Sequence, residues 1–359
     1  MLTPLNAVYN CLFVGTVKFI TPRFSLLHRA CDMRELYYTW PDQLKKALDN
    51  WEKVTLKQRP RAIVVCGMGG SGIVGDFARS IAYTKGFTTP IIVVKDYSIP
   101  SFISKSDIVI TISYSGSTIE TIKCFKESLK RKCPIYVIAS DGILEEYANK
   151  NNIPFLKITR GLVPRTTLPE MLVTLIGILN QIVKVMDKNE VIKCSDFLKH
   201  NIRSIENEAK YIAERLYAKI PIIVTYERYA PLAWRAKNEF NENSKIPSKV
   251  EIVPEWGHHD IVGWENPISP GVWYGVIIED VEDINSSKLL DFVEYTLSSK
   301  GIRTLTIKLK GDNIFEKLMY GSLLIGFTSV SLAEIYGVNP LTTRSIAQYK
   351  DIIKKILEA

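Results

Sequence analysis

The feature that most constrains this chain is a rhythm that recurs along it. A short apolar run leads into a turn of small residues, and a stretch with helical apolar spacing follows. Ala62–Cys66 runs into "GMGGSG", and Ile73–Tyr83 then carries apolar residues at three- and four-residue intervals. Ile91–Val94 is a second apolar run and Ile108–Ile112 a third, the latter passing directly into "SYSGST" at 113–118. Thr118–Lys130 reads as a helix and Ile135–Ile138 as a fourth strand. Runs this short, without alternation, read as strands buried on both faces. Strands that alternate with helices build a parallel sheet covered by helices. Such sheets bind ligands beyond the carboxyl ends of their strands, where both small-residue turns fall.

The rhythm breaks at a polar segment, 188–206, expected to join two lobes, and then restarts. Ile220–Thr225, Val250–Val253, Tyr274–Ile278 and Arg303–Leu309 read as strands. Pro231–Asn241, Phe315–Tyr336 and Arg344–Leu357 read as helices, as does Leu44–Val54 near the start. The expected fold is α/β, with two similar lobes, each a mainly parallel sheet flanked by helices. A length of 359 residues suits two domains. Residues 1–32 lack an early basic region, and Lys18 and Arg23 interrupt their apolar part, so they make a poor signal peptide. They read as an extension, with a first lobe over 33–195 and a second over 196–359.

The net charge of +8 comes from scattered Lys and Arg, with no block of five like charges. That distribution fits a solvated basic surface and an anionic small substrate, and no nucleic-acid partner is expected. The stretch Met171–Met186 is short for a membrane span and contains Asn180, Gln181 and Lys184, so it reads as a buried helix. No membrane partner is expected. None of the six cysteines is spaced as C-x-x-C, and reduced thiols in a cytoplasmic protein are the default expectation.

"SYSGST" places the hydroxyls of Ser113, Ser115, Ser117 and Thr118 between a buried strand and a helix N-terminus. One hydroxyl would serve as a helix cap; four beside a glycine suggest a phosphate cradle. The turn at 67–72, including Gly69, Gly70 and Ser71, can approach the same ligand because glycine lets a backbone come close. His258 and His259 stand together in "PEWGHHDIVGW", between Trp256 and Trp264. Metal binding is the alternative to acid–base work there, but H-E-x-x-H and C-x-x-C spacings are absent. In "KNEFNENSK", Glu239 and Glu242 are three residues apart, and periodicity does not choose between them. Arg165 follows Pro164 in a loop, and Lys350 sits at the margin of the last helix's apolar stripe. Lys350 either snorkels or reaches a buried site.

Taken together, "GMGGSG", "SYSGST", "PRTTLPE", "KNEFNENSK", "HHDIVGW" and "AEIYGVNPLTT" resemble the archaeal bifunctional phosphoglucose/phosphomannose isomerases. The resemblance covers about 33–359 in the same order. It implies two sugar isomerase (SIS) lobes and a homodimer. It also implies interconversion of glucose 6-phosphate and mannose 6-phosphate with fructose 6-phosphate, with no metal or other cofactor. By motif, it implies Ser71, Ser113, Ser115 and Thr118 as phosphate ligands, beside Gly69 and Gly70. It further implies Glu242 as the base, Arg165 as the fixed cation, and His258 with Lys350 for ring opening. Thr343 matches a threonine that leaves space for either C2 epimer.

Overall fold

The structure is a computed structural model that describes residues 33–56 and 59–358; the extension expected over 1–32 lies outside them. Two sheets form, and every strand pairing in them is parallel. The first contains β1 (Ile63–Cys66), β2 (Ile91–Val94), β3 (Ile108–Ile112), β4 (Ile135–Ala139) and β5 (Phe155–Lys157), in the order β2-β1-β3-β4-β5. The second contains β6 (Ile220–Tyr226), β7 (Lys249–Val253), β8 (Trp273–Glu279) and β9 (Arg303–Lys308), in the order β7-β6-β8-β9. The two sheets are the two expected lobes. In the first, Cys66 pairs with Thr111. The turns after β1 and β3 therefore leave the sheet side by side.

Among the described residues, the helices of eight or more residues are α1 (Trp40–Ala47), α2 (Gly69–Thr84), α3 (Ile119–Lys130), α4 (Ile143–Lys150), α5 (Leu168–Leu179), α6 (Lys188–Leu216), α7 (Ala230–Glu239), α8 (Ile284–Ser299), α9 (Ile314–Tyr336) and α10 (Arg344–Glu358). The helix expected over Leu44–Val54 ends at Ala47 and tightens into a 3₁₀ turn over Leu48–Lys53. Sequence reading missed β5, α4 and α8. β5 has three residues, and α4 buries only Leu144 and Ala148. α8 buries Leu290, Val293 and Leu297 but leaves Leu289, Phe292 and Tyr295 exposed, which blurs its apolar stripe.

The polar segment 188–206 is helical throughout. It forms the first part of α6, which opens on a capping box of Asp187 and Glu190. Val191, Cys194, Leu198, Ile202, Ile205, Ala209 and Ile212 recur at helical spacing and are buried; the polar residues are its outer face. α9 packs along α6 and α7 and ties the lobes together. By length and composition it is apolar enough to cross a membrane, but 89% of its most apolar window is buried inside the protein. Among the described residues, Cys66, Cys124, Cys133 and Cys194 are free, buried thiols.

Candidate active site

The two small-residue turns meet at the carboxyl edge of the first sheet. The chain doubles back tightly after β1, with Ser71 N and Gly72 N donating to Met68 O at 3.0 and 3.1 Å. A Cβ on Gly72 would stand 2.5 Å from Gly67 O, so the reversal requires glycine there. Ser71 Oγ accepts a hydrogen bond from Tyr114 N at 3.0 Å and braces one turn against the other. Gly69 holds φ +51, and a Cβ on Gly70 would lie 3.2 Å from both Arg165 N and Pro164 C. The close approach that Gly70 permits is thus to the chain's own 164–165 backbone.

In the second turn, Gly116 holds φ +59, and a Cβ there would sit 1.6 Å from Asp141 O. Ser113 Oγ donates to Thr118 Oγ1 at 3.0 Å; Ser113 is buried and Ser115 exposed. Neither α2 nor α3 receives a side-chain cap at its N-terminus. The capping alternative for the four hydroxyls is therefore not realised. Two positive helix ends and a group of small hydroxyls face one edge, an arrangement suited to an anion.

Arg165 stands beside this edge, on the 3₁₀ turn Pro164–Thr167 that precedes α5. Its guanidinium is almost fully buried and held on three sides. Nε donates to Asn243 Oδ1 at 2.7 Å, Nη2 to Pro340 O at 2.6 Å, and Nη1 to Glu242 Oε2 at 3.0 Å. Arg235 Nη2 in turn donates to the Arg165 carbonyl at 2.9 Å.

α7 does not end cleanly. Phe240–Ser244 forms a π-helical turn that closes on Lys245 in the left-handed region, φ +61. Such turns widen the helical repeat and are frequent at functional sites. This turn separates the two glutamates. Glu239 is buried, 2.5 Å from Arg235 Nη2, and accepts from Tyr37 Oη at 2.6 Å and Asn243 Nδ2 at 2.7 Å. The Glu242 side chain keeps 25% exposure and touches Arg165. Burial pushes the Glu242 carboxyl above its ordinary range; Arg165, Arg235 and Lys245 pull it down, and Glu239 adds to the rise. Lys245 Nζ donates to the carbonyls of Glu242 and Thr342, the latter at 2.7 Å. This bond and that of Pro340 bring the segment before Thr343 to the site.

Two expected participants lie elsewhere in this chain. His258 is exposed, and among the described residues no hydrogen bond or ion pair joins it to Arg165 or Glu242. His259 pairs with Glu255 at 3.1 Å and Asp260 at 3.5 Å. Lys350 is exposed on α10, and among the described residues no hydrogen bond or ion pair joins it to Arg165 or Glu242. No group of three or more His, Cys, Asp or Glu side chains gathers as a metal site would, among the described residues.

Sequence reading missed Asn243, Arg235, Tyr37 and Glu251. Asn243 is four residues past Glu239, a spacing that brings side chains together on a helix. Glu251 accepts from Trp256 Nε1 at 2.7 Å and from Trp264 Nε1 at 2.9 Å, so one buried carboxylate pins both ends of the histidine loop. The two tryptophans flanking the histidines were its visible signal.

A family model described as the bacterial phospho-glucose isomerase C-terminal SIS domain matches residues 205–353. The chain is 34% identical over 307 residues to a bifunctional phosphoglucose/phosphomannose isomerase of Aquifex aeolicus, covering 85% of this chain and 94% of that one. An enzyme of the same name from Pyrobaculum aerophilum is 29% identical over 338 residues, covering 90% and 98%. Among solved structures, the C-terminal domain of glucosamine-fructose-6-phosphate aminotransferase from Francisella tularensis superposes with a TM-score of 0.66. That match covers 85% of this chain and 96% of the other at 16% identity, and it speaks to the fold alone.

Proposed function

From the premise that this chain belongs to the bifunctional phosphoglucose/phosphomannose isomerase family, we propose that it interconverts glucose 6-phosphate and mannose 6-phosphate with fructose 6-phosphate, without a metal. That the protein is a sugar-phosphate isomerase with an SIS fold follows from the family itself. The observation that carries the finer reading is the contact of Glu242 with a buried, immobilised Arg165. That pair sits beside an edge made for an anion.

In this reading the helix N-termini, Ser113, Ser115 and Thr118 hold the phosphate, and Ser71 holds the two turns together. Binding there anchors the sugar without changing the phosphate. His258 and Lys350 serve ring opening. The Glu242 carboxylate takes the C2 proton of the open aldose, leaving a cis-enediolate, and the resulting carboxylic acid returns a proton to C1. The electron pair from the C2–H bond forms the C1–C2 double bond, and the charge settles on the O1 oxygen; the O2 proton then passes to O1, so that protonation at C1 leaves the C2 carbonyl of the ketose. Arg165 is the fixed cation beside that charge. Thr343 leaves room for either C2 epimer. His258 and Lys350 lie outside the Arg165–Glu242 cluster, which supports a homodimer in which subunits complete each other. We place the lobe boundary at 195/196, within α6, and the protein in the cytoplasm with no nucleic-acid or membrane partner.

The test is a coupled assay for fructose 6-phosphate from either aldose phosphate, with and without EDTA. Turnover of both epimers in EDTA is expected. A protein that bound sugar phosphates without turnover would be a sensor, and this reading would be wrong.

A further inference from the structure

The loop that carries His258 is anchored at two shoulders and bare between them. It leaves β7 through the 3₁₀ turn Glu255–His258 and continues into the short helix Asp260–Gly263. Side chains alternate along a strand, so Lys249, Glu251 and Val253 share one face of β7. The loop folds back under that face. Trp256 and Trp264 are buried there beside Val253, and Trp256 sets its ring edge-on to Phe292 and Trp264 to Trp273. Between the two indoles, Gly257, His258, His259, Val262 and Gly263 are exposed.

A buried indole N–H needs an acceptor, and both find the same one. Glu251, buried in the middle of β7, accepts from Trp256 Nε1 at 2.7 Å and from Trp264 Nε1 at 2.9 and 3.1 Å through its two oxygens. Lys249 Nζ supplies the counter-charge, pairing with Glu251 while lying 4.9 Å from the centre of the Trp264 ring. Burying a carboxylate is costly, and two separate neutral acceptors would satisfy two indoles equally well. What one charged acceptor adds is registration. β7 is paired to β6 along its length, so the carboxylate is a fixed point. The arch between the indoles cannot slide or tilt without breaking a bond to it. On that arch His259 is engaged by Glu255 at 3.1 Å and Asp260 at 3.5 Å. His258 is exposed and has no hydrogen-bond or ion-pair partner among the described residues.

We propose that Glu251 is a positioning residue that fixes His258 for ring opening by holding both shoulders of its loop. This rests on His258 being the ring-opening residue. Glu251 itself touches no substrate; it acts through the two indoles and the arch between them.

The experiment reads kcat and KM for fructose 6-phosphate in Glu251→Gln, in His258→Asn and in the double variant. Glutamine keeps the size of Glu251 but exchanges one accepting oxygen for an NH₂ donor, so an indole N–H loses its acceptor. Trp256→Phe, alone and with His258→Asn, keeps a ring and deletes the N–H, and it carries the test if the glutamine variant does not fold. Sugar rings also open without catalysis, so His258→Asn should retain slow turnover. Glu251→Gln should lower kcat by about tenfold to a hundredfold with KM within about threefold, as for a misplaced catalytic group. The double variant should be no slower than His258→Asn alone, because the second change removes nothing that the first has left. Trp256→Phe should lose less and show the same non-additivity. A role in stability alone would give independent losses that multiply. Multiplied losses, a folded Glu251→Gln with unchanged kcat, or a loss confined to KM would overturn the proposal. If His258→Asn keeps full activity, the assignment of His258 has itself failed. If it is impaired while the Glu251 and Trp256 variants behave as wild type, only the positioning role has failed.

Discussion

The carboxyl edges of the two sheets are built from the same kind of fold and treat charge in opposite ways. At the first edge the turns are Gly67–Gly72 and Ser113–Thr118, without a carboxylate in either, and α2 and α3 carry no side-chain cap. At the second edge a recess of about 460 Å³ is lined by Asp280, Glu282, Asp283 and Asp312 with Lys317. There α8 and α9 are capped by the protein's own side chains, while α7 is not: Asp283 accepts from Ser286 N at 3.2 Å, and Asn313 from Glu316 N at 3.1 Å. Lys317 is spent on Asp280 at 2.7 Å and Glu282 at 2.5 Å, and Tyr229 Oη donates to Asp280 at 2.6 Å. A parallel sheet offers a ligand edge wherever its strands end. Whether an anion can use it depends on which groups already satisfy the helix amides. At the second edge α8 and α9 are satisfied internally; at the first, the ends of α2 and α3 carry no side-chain cap.

The largest expected effect belongs to the open edge. Glu242→Gln should keep the fold and lose about 10²–10⁴-fold in kcat, the usual span for a positioned acid–base group. Glu239→Gln should act differently, lowering stability through its buried partners rather than removing the base. Thermal melts beside turnover rates would show it, and a reversal of the two phenotypes would put the base at 239. Because burial raises the Glu242 pKa, the deprotonated form fails at a higher pH than for a free carboxyl. The acid limb of kcat/KM should therefore lie above the ordinary Glu value of about 4.3.

The closed edge should answer in stability alone. Lys317→Met leaves Asp280 buried without its cation and should cost roughly 3–5 kcal/mol, as for a broken buried pair. KM for fructose 6-phosphate should hold steady, and a KM that rose with the loss of stability would mean that the second edge takes part in binding. Next comes Ser115→Ala, expected to raise KM by the loss of about 1.5–3 kcal/mol of hydrogen bonding to a charged group. Ser115→Asp imports the acidity of the second edge and should raise KM further; equal KM values for the two variants would argue against an anion at that turn. The smallest effect is expected for Gly70→Ala. Its Cβ would press on the Pro164–Arg165 backbone at 3.2 Å and shift Arg165 by a few tenths of an ångström, costing about 1–3 kcal/mol. A crystal structure of that variant with an unmoved Arg165 would show that the loop has slack.

Much of this was readable in the one-dimensional chain, because strands of four or five residues rich in β-branched side chains and turns of glycine and serine follow from local sterics. "AIVVC" and "IVITI" read as buried strands, and the turns behind them were expected at the same edge. Family resemblance singled out Arg165 and Glu242 by their motifs. Three things depended on the tertiary structure. Glu239 and Glu242 carry identical chemistry three residues apart; a π turn and the buried partners Tyr37, Arg235 and Asn243 separate their roles, and those partners are distant in sequence or silent in periodicity. Gly70 reads as room for a ligand, and the fold also sets against it the backbone at Pro164–Arg165, a neighbour 94 residues away that no local pattern announces. The acidic closure of the second edge likewise needed Asp280, Asp312 and Lys317 brought together from separate loops and a helix. Local sequence determines which elements form and which end of a sheet can bind. Which charges are already satisfied at that end is a sum over long-range contacts, and only the folded chain evaluates it.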